Sequence, residues 1–268
     1  MELSMATDYA SDTGDAEPYL RRIAEAGFPH IQWIHHWQHD FIYTEPEVEY
    51  IRELLVELNL TLCDIHAPTG AEKNWFSTVE YQRRAGVVIM KNRIQMCHEL
   101  GGAVIVAHIP PQSGETGESW AQLRASVAEL EEFCRERGVR IAVENRAHDG
   151  FEGIRELLAS YDSQYLGLCY DSGHGNIDGA GLEHLDTVKD RLISVHLHDN
   201  DGHHDQHMPM FSGTVDWSAL ASLIAASSYD GPLTVETDIR LSGYQDERQF
   251  LASACSDGLR FAEMIGAV

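Results

Sequence analysis

The 268-residue chain contains no run of about 18 apolar residues, the length that a membrane-spanning helix needs. Residues 1–8 also lack the basic and apolar blocks that mark a secretory signal peptide. We therefore expect neither a membrane span nor a secretion signal. Because 43% of the residues are hydrophobic, the chain can still bury a substantial core.

Lysine is scarce. Only three of the 19 basic residues are lysine, against 43 acidic residues, and the formal net charge is −24. Nucleic-acid affinity is built mostly from Lys and Arg contacts with phosphate groups. We therefore expect no nucleic-acid partner and no binding to anionic membranes.

The five cysteines, at positions 63, 97, 134, 169 and 255, form no Cys-x-x-Cys pair. An odd number of scattered cysteines is typical of reduced thiols rather than of a disulfide framework, which predicts a cytoplasmic protein.

Short β-branched apolar runs alternate with helical segments eight times along the chain. This alternation predicts parallel strands, and eight units in about 250 residues fit a closed barrel. An open doubly wound sheet is disfavoured because no glycine-rich phosphate loop follows the first strand. We predict a single (β/α)8 TIM-barrel domain over residues 1–268. The predicted strands are residues 2–6, 30–35, 60–65, 103–107, 140–143, 166–170, 193–197 and 232–235.

Two helix starts carry local signals. Ser77 and Glu80 have the spacing of a capping box, in which each side chain binds a backbone amide of the first turn. Asp216 precedes an apolar helical segment and is predicted to cap it.

Potential metal ligands stand where the predicted strands end or in the loops that follow. In a barrel these ends converge on one mouth, so residues distant in sequence can meet around one cation. Imidazole and carboxylate together suit Zn, Mn, Co or Fe, and the absence of cysteine argues against a closed structural zinc site. The nine candidates are His66, His108, Glu144, Asp171, His174, His196, Asp205, His207 and Glu236.

Glu144 and Glu236 are the most informative of these candidates. Each directly follows a strand that should be fully buried, where a carboxylate needs a partner or a raised pKa. Candidate substrate contacts are less specific. His198 is on the same strand face as His196, Lys73 and Trp75 are in the loop after strand three, and Arg146 follows Glu144.

At these positions the chain resembles the xylose-isomerase-like TIM-barrel superfamily. The resemblance covers nearly the whole chain and is most specific from His196 to Trp217. Asp171-Ser172-Gly173-His174 is similar to the superfamily's Asp-x-x-His motif. The segment His196 to Trp217 looks like that of the sugar phosphate isomerase/epimerase branch.

The resemblance implies one divalent metal held by Glu144, Asp171, His196 and Glu236. It implies that the two glutamates also act as acid and base, and that His174 contacts the substrate. Endonuclease IV shares the scaffold but holds three zinc ions, with further ligands that match His66, His108, His174, Asp205 and His207. The resemblance therefore leaves one to three ions per chain open. Where many relatives carry a Gly-Glu-Gly motif, Ser212 replaces the glutamate.

The leading functional prediction is a sugar isomerase or epimerase that abstracts a proton next to a carbonyl group. A lyase or dehydratase acting on a keto-sugar or inosose uses the same first step, and the sequence does not separate the two.

An endonuclease-IV-like phosphodiesterase is compatible with the ligands but not with the charge. A binding module without activity is a further alternative, disfavoured by the retention of both glutamates. We expect a small sugar or sugar-phosphate substrate, with the unphosphorylated form favoured since no glycine-rich phosphate loop is evident. The resemblance is compatible with a homo-oligomer, since relatives are often dimers or tetramers, but the sequence does not fix the oligomeric state.

Overall fold

A closed barrel of eight parallel strands forms the centre of the molecule. The computed structural model describes residues 1–70, 72–111, 117–147 and 151–267. The strands are β1 (Leu3–Ala6), β2 (His30–Trp33), β3 (Thr61–His66), β4 (Val104–Ala107), β5 (Arg140–Glu144), β6 (Leu166–Asp171), β7 (Leu192–Leu197) and β8 (Leu233–Val235). Each strand pairs with the next, and β8 closes the barrel against β1. The predicted (β/α)8 barrel is confirmed.

Ten α-helices lie among the described residues. They are α1 (Glu17–Glu25), α2 (Glu45–Leu58), α3 (Glu80–Glu99), α4 (Gly117–Arg137), α5 (Glu152–Ser160), α6 (Ser172–Asp178), α7 (Gly181–Val188), α8 (Trp217–Ala225), α9 (Ile239–Ser242) and α10 (Glu247–Gly266). The sequence predicted eight of them. The two additional helices, α6 and α9, are short and begin just after β6 and β8, at the carboxyl end of the barrel. None of the described helices is both long and apolar enough for a membrane crossing.

One predicted helix start is wrong and the other is confirmed. Helix α3 has Val79, not Ser77, at its N-cap position, and Ser77 Oγ instead accepts from the backbone N–H of Val79 at 3.2 Å. The chain is still bending at Ser77, so the serine closes a local turn rather than capping a helix. Asp216 does cap α8, accepting from the backbone N–H of Ala219 at 3.0 Å.

The main core lies between the barrel and its helices. Ile31, Ile105 and Leu168 are fully buried on the strands and belong to the same core as Leu20 and Leu220 on helices. Burying such a side chain stabilises the fold by roughly 1.5–3 kcal/mol. All five cysteines are free thiols, three of them buried.

The inside of the barrel has an apolar side and a polar side. A small separate cluster of Val104, Val106, Ala142 and Cys169 fills the side near β4–β6. Polar residues fill the other side, and Ser194 Oγ donates to Asp64 Oδ2 at 2.6 Å across the barrel. Besides His66 and His196, the fully or nearly fully buried polar residues on β1, β2, β3, β7 and β8 are Ser4, Gln32, Asp64, Ser194 and Thr234. This polar layer supports the residues at the carboxyl ends of the strands.

Candidate active site

All nine predicted ligands meet at the carboxyl ends of the strands. Six are held by strands: His66, Glu144 and Asp171 end β3, β5 and β6, His196 lies in β7, and His108 and Glu236 come just after β4 and β8. The other three follow strands more loosely. His174 lies in α6, and Asp205 and His207 lie in the loop after β7.

Four of these side chains form an inner set, defined as Glu144, Asp171, His196 and Glu236. His196 Nδ1 stands at its centre, 2.9 Å from Glu236 Oε2, 3.4 Å from Glu144 Oε1 and 4.0 Å from Asp171 Oδ2. All four residues are buried, with relative exposures of 0–6%. Three carboxylates therefore surround one imidazole nitrogen away from water.

The inner set has buried ligand atoms that no hydrogen bond satisfies. Glu144 Oε2, His196 Nδ1 and Glu236 Oε2 have no hydrogen-bond partner among the described residues. Polar atoms are nevertheless close, since His196 Nδ1 lies 2.9 Å from Glu236 Oε2 and His108 Nε2 lies 3.1 Å from Glu144 Oε2. Leaving such atoms unpaired costs roughly 1–3 kcal/mol each or more. One imidazole and three carboxylates pointing at a common space are a suitable ligand set for a divalent cation. The residues present therefore fit a metal.

The remaining ligands form an outer set, defined as His66, His108, His174, Asp205 and His207. Nε2 atoms of His66 and His108 lie 3.5 and 3.1 Å from Glu144 Oε2. On the other side of the mouth, Asp205 lies 3.2 Å from His174 Nε2 and 3.4 Å from His207 Nε2. Glu144 is thus shared, since its Oε1 faces the inner set and its Oε2 faces two histidines of the outer set.

Opposite charges at the mouth lower the pKa of Glu144 and raise the pKa values of His174 and His207. Burial opposes ionisation of Glu144, but the charges of His108 and His196 outweigh it and hold its pKa well below the usual range. Burial likewise opposes protonation of His174, yet Asp171, Asp205 and Glu144 raise its pKa well above the ordinary value. Burial also opposes protonation of His207, but the hydrogen bond to Asp205 and the charge of Glu236 outweigh it and raise the pKa of His207 to about 10.

The loop after β7 is held in place by the fully buried Asp199. Its carboxylate accepts from the backbone N–H of Val215 at 3.0 Å and from Trp217 Nε1 at 3.0 Å. Asp199 also pairs through its backbone with Met208. Ser212, at the position of the relatives' glutamate, is exposed and donates to the Pro209 carbonyl within this loop. These contacts fix Asp205 and His207 without a regular secondary-structure element.

Comparison with known proteins assigns the chain to a family. The family model described as a xylose isomerase-like TIM barrel matches residues 20–254. The uncharacterized protein y4fM of Sinorhizobium fredii is 33% identical over 279 residues, which cover 92% of this chain and 89% of that protein. The chain belongs to the xylose isomerase-like TIM-barrel family.

Solved structures share the family fold along the whole chain. A D-tagatose 3-epimerase-like protein has a TM-score of 0.79 at 23% identity, covering 100% of this chain and 99% of its own. The 3-keto-D-glucoside 4-epimerase of E. coli has a TM-score of 0.78 at 18% identity, covering 97% of this chain and 100% of its own. At these identities the similarity shows the fold.

Two of the predicted substrate contacts of this family member, Lys73 and Trp75, do not line the two cavities at the mouth. Trp75 is only 2% exposed, and its Nε1 donates to the backbone carbonyl of His108 at 3.1 Å, so it supports the loop behind that ligand. Gly86 of α3 lies so close to the backbone of residues 74 and 75 that a Cβ atom would collide with it. Lys73 is exposed, and its backbone N–H donates to Asp40.

The other two predicted contacts are at the mouth. Arg146 lines a cavity beside His108 and His174, and its guanidinium donates to the Ile109 carbonyl at 3.3 Å. His198 is fully buried, its Nε2 lies 3.1 Å from Asp171 Oδ2, and its ring stacks on His207 at 4.0 Å. Its nitrogens are also close enough to join Asp171 and Glu236, or Asp205 and His207, in holding a metal ion.

A cavity of about 620 Å³ opens onto both ligand sets. Asp8, Asp12, Asp238 and Arg240 line it and were not singled out from the sequence. The sequence could have indicated two of them, because Asp8 and Asp238 follow β1 and β8 closely and therefore belong to the same end of the barrel as the ligands. Burial and the nearby charge of Glu236 raise the pKa of Asp8 to about 7.

Trp37 forms the apolar wall of this cavity. Its ring centroid lies 4.7 Å from that of His66 and 5.4 Å from that of His108. An aromatic face beside hydrophilic ligands is suited to the apolar C–H face of a sugar ring. A second cavity of about 320 Å³, between α1 and α2, contains none of the nine ligands.

Proposed function

We propose that this family member is a divalent-metal-dependent sugar isomerase or epimerase that removes a proton from a carbon next to a carbonyl group. The pair Glu144 and Glu236 carries the proposal. Both are buried, both reach within 3.4 Å of His196 Nδ1, and each has an oxygen without a hydrogen-bond partner among the described residues. Two carboxylates held around one small space can serve as base and acid on the same carbon.

The inner set would hold the cation, and its mixed imidazole and carboxylate ligands suit Mn²⁺, Zn²⁺ or Co²⁺. When bound, the cation would polarise the substrate carbonyl and make the neighbouring C–H more acidic. One of Glu144 and Glu236 would take the proton, and the other would return it. His174, whose pKa is raised by Asp171, Asp205 and Glu144 after burial is overcome, would donate to a substrate oxygen.

The charges lining the cavity favour an unphosphorylated substrate. Asp8, Asp12, Asp205 and Asp238 add to the two glutamates around it. Among the described residues that line this cavity, Arg240 is the only lysine or arginine, and its guanidinium group is paired with the carboxylate of Asp238. A phosphate group would meet more negative than positive charge, whereas neutral hydroxyl groups can donate to these carboxylates.

The relatives add support in the same direction. Several solved structures with this fold are 3-epimerases of D-psicose, L-ribulose or D-allulose, and the D-psicose 3-epimerase has a TM-score of 0.78 at 16% identity. Those activities belong to those proteins. For this chain they make unphosphorylated ketoses the first compounds to test.

The decisive experiment follows ketoses by NMR in deuterated water with the metal-loaded protein. We expect an epimer or isomer that carries deuterium at the reacting carbon, loss of turnover after metal removal, and recovery with Mn²⁺ or Co²⁺. Full-rate turnover by metal-stripped protein would contradict the mechanism. A product that has lost water would instead identify the lyase or dehydratase, which shares the same first step.

The outer set supports a second candidate, a phosphodiester hydrolase with more than one metal ion. The observation in its favour is that His66 and His108 both approach Glu144 Oε2, while Asp205 lies between His174 and His207. Elemental analysis would report one ion per chain for the inner set alone and two or three if the outer set also binds. Nicking of an abasic DNA duplex at low salt would support the hydrolase, and the net charge of −24 leads us to expect none.

A further inference from the structure

The side-chain amide of Gln32 contacts His196 on the side of the ring that faces away from the carboxylates. Gln32 lies on β2, a strand that supplies none of the nine ligands, and it is fully buried. Its amide nitrogen lies 2.5 Å from His196 Nε2. Its Oε1 has no hydrogen-bond partner among the described residues.

The other nitrogen of His196 is aimed at the inner set. Nδ1 lies 2.9 Å from Glu236 Oε2, and neither atom has a hydrogen-bond partner among the described residues. A neutral imidazole has one N–H and one lone pair, and a metal takes the lone pair. If Nδ1 is to bind a cation, the proton must sit on Nε2, and an acceptor must face it.

The oxygen of the Gln32 amide can be that acceptor. Rotation of the amide by 180° exchanges its oxygen and nitrogen without changing the shape of the side chain. His196 Nε2–H then donates to Gln32 Oε1. Asp64 pairs with Gln32 in the register of β2 and β3, and its own Oδ1 is buried without a partner among the described residues. We infer from this register that Asp64 Oδ1 is the acceptor available to the rotated amide N–H.

We propose that Gln32 is a positioning residue that keeps His196 in the Nε2–H form and so directs the Nδ1 lone pair at the metal. The inference rests on the proposed metal site, but not on which reaction the site catalyses. Groups that accept from the second nitrogen of a metal-binding histidine typically change metal affinity 10–100-fold.

The direct test is the NMR spectrum of the histidine ring nitrogens in ¹⁵N-labelled, Zn²⁺-loaded protein, assigned with His196→Asn. We expect a ring with hydrogen on Nε2 and zinc on Nδ1. Hydrogen on Nδ1, or zinc on Nε2, would overturn the inference without the need for a Gln32 variant.

Metal affinity gives a second, independent test. Gln32→Met keeps the length but removes the acceptor, so the Kd for Zn²⁺ should rise about 10–100-fold. Gln32→Glu keeps an acceptor oxygen and should stay within a few-fold of the wild type. Ser4→Ala is the matched control, since Ser4 is a fully buried polar residue of the same layer whose Oγ has no hydrogen-bond partner among the described residues.

The outcomes separate this inference from the proposed function. Wild-type affinity in a folded Gln32→Met variant overturns the role of Gln32 and leaves the metal site intact. Absence of Zn²⁺ and Mn²⁺ binding by the wild type overturns both. If Gln32→Met does not fold, the NMR spectrum of the wild type and the affinity of Gln32→Glu still decide.

Discussion

The inner and outer sets of ligands use the same residue types in different physical settings. The side chains of Glu144 and His196 are 2% and 0% exposed, whereas those of Asp205 and His207 are 41% and 33% exposed. The inner set stands on strands and on the residues just after them, and it has buried atoms without partners. In the outer set, His66 and His108 are likewise held by strand ends, but Asp205 and His207 lie in a loop and pair with each other. The difference suggests that a cation bound by the inner set would be held tightly and one bound by the outer set would exchange more readily.

Glu144 belongs to both sets, so changing it should have the largest effect. We expect Glu144→Gln to lower sugar turnover by about 10³-fold or more, since general acid–base catalysis contributes typically 10²–10⁴-fold and a metal ligand is weakened as well. Glu236→Gln should be similarly inactive. Steady-state rates on the best ketose measure this, with the exposed Glu53→Gln as the control. Comparable rates for Glu144→Gln and Glu53→Gln would contradict the assigned role.

Removing one histidine from each set tests whether the two sets are separate metal sites. We expect His196→Ala to lose the tightly held ion and His207→Ala to retain it, because the carboxylates of the inner set do not depend on the loop after β7. Elemental analysis after dialysis against a weak chelator measures both. If both variants lose the same amount of metal, the distinction between the sets is wrong.

The sequence was sufficient for much of the inner set and the barrel that presents it. Glu144 and Glu236 follow strands with a clear buried pattern, and that pattern alone places a carboxylate at the barrel mouth. The spacing of the apolar β-branched runs also identified all eight strands to within two residues at either end. These features depend on residues that are close together in the chain, so a single sequence is enough to predict them.

Other features depend on contacts between distant segments. The loop position of Trp75 predicted a substrate contact, yet the approach of Gly86 and the hydrogen bond to His108 place it in the protein interior. Gln32 looked like an ordinary strand residue, because its role depends on the register that brings β2 opposite His196. Ser77 had the spacing of a capping box but lies where the chain is still turning. Spacing within a segment cannot reveal such partners.

The number of protons released on metal binding would show whether the outer set takes part in binding. Asp205 and Glu236 raise the pKa of His207 to about 10 against the effect of burial, so the ring is protonated at pH 7 and must lose its proton before it can bind a metal. Metal affinity of the outer set should therefore rise with pH from 6 to 9 and fall with acid. Calorimetry in buffers of different ionisation enthalpy measures the protons released. We expect fewer protons released in His207→Ala; an unchanged number would show that this ring does not bind metal.

The two tryptophans near the mouth give the smallest predicted effects and separate binding from folding. Trp37→Ala removes the cavity wall beside His66 and His108, and KM for the sugar should rise by roughly five- to tenfold, about 1 kcal/mol, while kcat changes little. Trp75→Phe removes the hydrogen bond to the His108 carbonyl and should lower the free energy of unfolding by about 1 kcal/mol with KM nearly unchanged. Kinetics and denaturant melts on both variants test this. An unchanged KM in Trp37→Ala would show that the ring does not touch the substrate, and the acidic side of the cavity would then be left as the surface that selects the sugar.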